Sequence, residues 1–232
     1  MNETVLIVGA GSGLSASLAR LCSRNGMTVV LAARNIKKIK NFAEEIKAET
    51  ISCDAGDIKS VHLLFESIDK IIGVPNLVIY NPSVRIKGGI TELDSSKTQE
   101  AINITCFGAF LVAKEAAKRM IKRKSGSIFF TGASAGVKGF PRSSVFAMGK
   151  FGLRGLAQSL ARELHPQNIH VVHVVVDGGI RSIEKNRVET QEDDPDKWLD
   201  PDEIASTYWH LHTQHRSSWS WEIEVRPWVE KF

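Results

Sequence analysis

Gly9, Gly11 and Gly13 stand directly behind the apolar run Val5 to Val8 and directly ahead of a stretch of helical period, in the order LIVGAGSGLSASLARLCSRNG that begins at Leu6. A strand that turns at once into a helix, through residues without side chains, belongs to few architectures. The alternation then continues, with TVVLAA, TISCD, NLVIYN, GSIFFTG, IHVVHVVV and WEIEV as short β-branched runs between longer stretches of helical period. This predicts an α/β fold, a Rossmann-type doubly wound parallel sheet with helices on both faces. The runs have no polar-outward phase, so their strands should be covered on both sides. A chain of 232 residues suits a single domain, 1–232, whose core is large enough to stand alone. No repeat or linker interrupts it.

Charge and cysteine usage narrow the function classes. Thirty Lys+Arg against 26 Asp+Glu, a net charge of +4, is far from the clustered basic stripe that nucleic-acid binding needs. The basic run Lys122 to Ser125 reads as a solvated helix end. Cys22, Cys53 and Cys106 are well separated and odd in number, so neither a disulfide framework nor paired-cysteine metal spacing is present, and a reducing cytosol is the expected setting. No apolar run approaches the roughly 20 residues of a membrane span, and TVLIVGAG starts without a basic-then-apolar leader, so a cytoplasmic protein with no membrane or nucleic-acid partner is expected.

Chemistry-bearing residues cluster at the strand ends. The glycines of the first turn let backbone approach a pyrophosphate, which the helix N-terminus would hold on its free N–H groups. After the second strand, Ala33 and Arg34 stand where a site for the unphosphorylated dinucleotide wants an acid. A guanidinium suits a 2′-phosphate, so NADP(H) is favoured over NAD(H). The stretch 180–200 is charged, weakly periodic and carries Pro195, and reads as a mobile substrate loop. Helical order resumes at DPDEIASTYWHL, where Asp200 can cap, Pro201 fills the first position and Glu203 completes a capping box.

With these pieces the chain resembles a short-chain dehydrogenase/reductase over essentially its whole length. Gly9-Ala10-Gly11-Ser12-Gly13-Leu14 follows that family's cofactor loop, with Ser15 where a third glycine is usual. Cys53 to Asp57 resembles the third-strand segment, and the resemblance implies that Asp54, with Ala55, contacts adenine. Asn81-Pro82-Ser83 replaces an Asn-Ala-Gly triplet. Asn103 matches the asparagine that links the active-site lysine to water. Asp177 to Ser182 resembles the segment beside the nicotinamide, with Gly178 in place of a proline, which puts Gly179, Ile180 and Ser182 on the cofactor.

The family's active-site signature is a tyrosine four residues before a lysine. Here Lys150 is present, ahead of the helical run FGLRGLAQSLAREL, but Phe146 occupies the tyrosine's place. Phenylalanine can neither give nor take a proton. The usual partner serine falls on Ala133, with Ser134 one place later. A small atypical branch of the family shares the phenylalanine and a similar RPWVEKF tail, and this chain resembles it. The resemblance implies a homodimer or homotetramer and an NADP(H)-dependent oxidoreductase acting on a small carbonyl or alcohol with a non-standard proton donor. Lys150 would orient the ribose, Asn103 would anchor a water relay, and Ser134 or that water would polarise the substrate oxygen. The alternatives are a non-enzymatic NADP(H)-binding sensor or scaffold, and an isomerase or dehydratase without net redox change. Tyr80 and Tyr208 are the remaining phenols. His170 and His173, three apart on a strand, should face opposite ways; of His210, His212 and His215 only the latter two would be neighbours on a helix, and no nearby Cys or Asp completes a shell, so no metal site is expected. Four of the five tryptophans lie between Trp209 and Trp228 and suit a final edge strand at a subunit contact.

Overall fold

The computed structural model describes residues 2–231, so the two end residues of the expected 1–232 domain lie outside the described residues. Each apolar run becomes a strand: β1 Thr4–Val8, β2 Thr28–Ala33, β3 Glu49–Ser52, β4 Leu77–Tyr80, β5 Gly126–Thr131, β6 Ile169–Val176 and β7 Glu222–Val225. All pair in parallel, in the order β3-β2-β1-β4-β5-β6-β7. The order reverses beside β1, which pairs with β2 on one side and β4 on the other, and a crevice opens at the C-terminal ends of these strands.

Side-chain alternation sorts the core into two layers. Leu6, Val30, Val78, Phe130 and Val171 face α3 Ile58–Ile71, α5 Gly108–Arg123 and α6 Ser144–Leu164. Val5, Ile7, Leu31, Phe129 and Val172 face α1 Leu14–Arg24, α2 Lys40–Glu45 and α7 Pro201–His212. Helix starts follow local chemistry. Asp57 caps α3 through the Ser60 N–H, and Asp94 caps α4 Ser95–Ile102 through the Lys97 N–H. Asp200 caps α7, with Pro201 in the first position, but it closes on the Asp202 N–H at 2.8 Å, one residue short of Glu203 in the expected capping box. The basic run at the end of α5 is not merely solvated: the Arg123 guanidinium donates to the carbonyls of Val74, Pro75 and Ser125.

Helices α4 and α5 are joined through a π turn, Asn103–Phe107. The turn delivers Gly108 against the β3–α3 connection, where a Cβ would lie 2.3 Å from the Ala55 carbonyl oxygen and 2.5 Å from the Tyr80 hydroxyl. Gly108→Ala is therefore expected to cost about 1–3 kcal/mol, read as a lowered midpoint of denaturant unfolding; an unchanged midpoint would mean that α5 can shift freely.

The 180–200 segment carries one short 3-10 turn, Ile183–Lys185, and its ends meet through bridges between Ile180 and Leu199 and between Ser182 and Arg187. Some of its charges are paired, with Arg181 on both Glu189 at 3.0 Å and Asp200 at 2.6 Å, and Lys197 on Asp193.

Candidate active site

The turn after β1 is an open cradle. Gly9, at φ +79°, donates its N–H to the Ala32 carbonyl and packs on Pro82, whose ring atoms a Cβ would reach at 2.6 Å. By contrast, a Cβ on Gly11 or Gly13 would meet nothing within 4 Å. Helix α1 starts with no side-chain cap and no acid in its first turn, so its leading N–H groups carry no charge partner of their own. This space and these donors fit a pyrophosphate. Leu14 is buried behind them, and the Ser12 hydroxyl donates to Glu184 at 3.0 Å, tying the turn to the 180–200 segment. Ser15, which stands where a third glycine is usual, is buried and donates to the Gly9 carbonyl at 3.2 Å while accepting from the Asn81 amide at 2.7 Å. It locks the turn to the end of β4, a role the sequence reading missed.

At the far end of the crevice, Arg34 leaves β2 exposed, with Glu100 at 3.8 Å. Asp54, behind β3, is exposed and folds its carboxylate onto the Gly56 N–H at 2.9 Å, next to buried Ala55. These three residues stand away from the central cleft.

That cleft holds about 1000 Å³ and is walled by the C-terminal ends of the central strands. Gly13, Leu14, Asn81, Gly179, Ile180 and Ser182 line it, together with Ser134, Phe146 and Lys150. Gly179 leaves no room for a side chain, since a Cβ would fall 2.4 Å from the Trp198 ring. Lys150 is 2% exposed and its Nζ donates to the Thr131 carbonyl at 2.7 Å. Burial pulls its pKa down to about 7, because a low-dielectric surround penalises the charged form. The Phe146 ring lies beside it, 5.8 Å from Nζ, and carries a second cation, Arg85, at 5.4 Å. Both Ala133 and Ser134 border the cleft; the backbone of Ser134 opens a 3-10 turn that presses Gly136 onto the Lys150 carbonyl.

Not every candidate converges. Asn103 sits on the π turn and lines a separate groove with Ile90, Leu93 and Met148 rather than the cleft. The two phenols are also elsewhere. Tyr80 is fully buried and donates to the Ile104 carbonyl, and Tyr208 is fully buried with its hydroxyl 2.8 Å from the Thr131 hydroxyl. Burial raises both pKa values well above the ordinary phenol value. His170 and His173 face opposite sides of β6, His170 stacked on Trp219 and His173 bonded to Glu222 at 2.9 Å. His212 reaches Glu3. Among the described residues no group of three His, Cys, Asp or Glu lies close enough to share a metal ion. No helix among them is long and apolar enough to cross a membrane.

Comparison with known proteins gives a consistent picture. A family profile described as short chain dehydrogenase matches residues 3–192. A 3-oxoacyl-[acyl-carrier-protein] reductase of Bos taurus is 27% identical over 184 residues, 78% of this chain and 77% of that protein. An uncharacterized oxidoreductase of Staphylococcus aureus is 25% identical over 97% of each chain. Among solved structures, a short-chain dehydrogenase from Rhodopseudomonas palustris superposes with a TM-score of 0.84 at 31% identity, covering 98% of this chain and 100% of that one. A metagenomic short-chain oxidoreductase in complex with NADP superposes with a TM-score of 0.84 at 25% identity, over 98% of each chain.

Proposed function

The chain belongs to the short chain dehydrogenase family of oxidoreductases, and from that premise we propose that it is an NADP(H)-dependent enzyme acting on a small carbonyl or alcohol, in the branch with phenylalanine in the tyrosine's place. The observation that carries this reading is Lys150, a fully buried amine that opens on the cleft beside Phe146. Gly9, Gly11, Ser12, Gly13 and Leu14 would hold the pyrophosphate, Arg34 the 2′-phosphate, and Asp54 with Ala55 the adenine. Asn81, Gly179, Ile180 and Ser182 line the nicotinamide end. Bound there, NADP(H) would supply or accept the hydride at the substrate carbon.

The remaining work falls to the chain. The Lys150 ammonium has three N–H groups; Thr131 takes one, leaving the others for the ribose hydroxyls and for the substrate oxygen, directly or through a water. With a pKa near neutrality, its Nζ can release a proton and recover it at physiological pH. Ser134 polarises the substrate oxygen from the cleft wall. Asn103 lies in the neighbouring groove, so it would anchor the water that returns the proton only through its backbone carbonyl, which accepts the Gly108 N–H and keeps a second lone pair. The 180–200 segment, which brings Arg181, Ser182 and Lys185 to the cleft, is the mobile substrate loop.

Purified protein incubated with NADPH and a panel of aldehydes and ketones tests the reading: NADPH should be consumed with at least one, and binding without turnover on all of them would refute it. Cofactor choice is a separate expectation. A charge-assisted contact to the 2′-phosphate is worth about 1.5–3 kcal/mol, so NADPH should bind at least about tenfold tighter than NADH, and Arg34→Ala should remove most of the difference. Equal affinities by titration calorimetry would contradict it.

A further inference from the structure

Arg85 has no part in the reading above, yet it stands over the ring that replaces the phenol. Its guanidinium carbon is 5.4 Å from the Phe146 centroid, on the cleft wall, and among the described residues it makes no ion pair. Its backbone is fixed. The N–H of the preceding residue, Val84, donates to the Thr105 hydroxyl at 3.1 Å, and buried Thr105 packs on Gly149 of α6, the residue beside Lys150. The loop that carries Arg85 is tied a second time where Gly88 donates to the Arg142 carbonyl at 3.1 Å.

The other cations of the cleft are placed differently. Arg181 is neutralised by Glu189 and Asp200, and Lys138 lies 3.4 Å from Asp177. Lys185 and Arg187 belong to the 180–200 segment, on the side of the Gly-rich turn that Ser12 and Glu184 tie down, and Lys231 is a lysine beside Glu230, without a guanidinium's fork. Arg85 is the unpaired guanidinium on the Phe146 side, where the substrate end of the cleft lies. An exposed planar fork of N–H donors, carried by a tied loop above an apolar ring that also borders a buried amine, matches a carboxylate.

We propose that the substrate is a short oxo acid (or the corresponding hydroxy acid), whose carboxylate Arg85 binds while its carbonyl lies toward Lys150. This rests on the oxidoreductase reading. In the reaction the carbonyl carbon gains a hydride from NADPH, which is oxidised to NADP+, the C=O π bond breaks, and the oxygen takes a proton to give the hydroxy acid. The carboxylate is unchanged and serves only for binding.

The test uses 2-, 3- and 4-oxo acids beside their amides, and butanoate beside butanamide as non-reacting probes titrated into protein saturated with NADP+. In the wild type, kcat/KM for one oxo acid should exceed that for its amide at least tenfold, through KM. In Arg85→Met, which keeps the apolar stem over the ring, that ratio should fall to about one, with Arg85→Lys recovering part of it. Butanoate should bind the wild type, more weakly in high salt, and at least tenfold more weakly to Arg85→Met; butanamide should bind neither. A wild type that does not distinguish acid from amide, a ratio that survives in Arg85→Met, or butanoate binding that is absent or insensitive to Arg85 would each overturn the proposal and leave Arg85 as a cover for the ring. If butanoate binding follows Arg85 but no carbonyl compound consumes NADPH, the anion site stands and the oxidoreductase reading falls.

Discussion

Lys150→Met is expected to slow carbonyl reduction by about 10²- to 10⁴-fold, the range for loss of a positioned proton donor, while the protein remains folded. In a pocket whose neighbouring ring carries no hydroxyl, Nζ is the titrating group closest to the reaction, held by Thr131 at 2.7 Å. Its lowered pKa, about 7, fixes the direction of the pH dependence. Reduction needs the ammonium, so the wild-type rate should be level below pH 7 and fall tenfold per unit above it; alcohol oxidation needs the free amine and should rise through the same point. A profile with no break near 7 would place the proton elsewhere. Stability moves with pH in a defined sense as well. Between 7 and the ordinary lysine value of 10.5 the unfolded chain holds a proton that the folded one has lost, so stability owed to Lys150 grows with pH across that window and is least below 7, where a charge is kept buried. Methionine removes the buried charge and leaves only the Thr131 carbonyl without its partner. The variant should therefore tolerate pH 6 at least as well as the wild type does, relative to their stabilities at pH 10, which separates lost chemistry from lost folding.

The sequence was most legible where burial is symmetric. Runs such as IHVVHVVV have no polar-outward phase because β6 is fully buried on both faces, and that lack of phase is itself the signal for a parallel strand between two helix layers. The Gly-rich turn was legible for a similar reason, since a strand end, three glycines and a helix start leave little choice of geometry. What stayed hidden depends on partners far along the chain. Ser15 reads as a departure from a glycine pattern, and only the approach of Asn81, 66 residues away, shows that its hydroxyl closes the turn. Arg85 lies in a loop of no period, and its place over Phe146 comes from Val84 meeting Thr105 across the π turn. That turn also explains Asn103: a local i to i+5 pattern has no residue signature, and it leaves the Asn103 side chain in the groove with Ile90 and Met148. The charges of 180–200 look like loop solvation in sequence, and most of them are exposed, yet Arg181 bridges Glu189 and Asp200 across the segment.

Phe146→Tyr is expected to raise the reduction of simple aldehydes and ketones by about 10²-fold, the lower end of what a general acid contributes. The ring is half-buried at the cleft wall, so the added oxygen points to space rather than into the packed core. Lys150 lies 5.8 Å from that ring and the Arg85 guanidinium 5.4 Å, and the guanidinium favours the phenolate, so the new hydroxyl should titrate below an ordinary tyrosine and give up its proton more readily. The pH profile should move with it. With the phenol as the acid, the break near pH 7 that belongs to Lys150 gives way to a higher one, where Lys150 has already lost its proton, and adding Arg85→Met should bring it higher still by removing the guanidinium that stabilises the phenolate. A variant that folds and binds NADPH yet shows neither the gain nor the shifted break would mean that the substrate oxygen never comes to the edge of this ring. The cleft would then be shaped for chemistry in which no proton passes through that position, and the phenylalanine would be there to keep water from Lys150 rather than as a tyrosine that lost its hydroxyl.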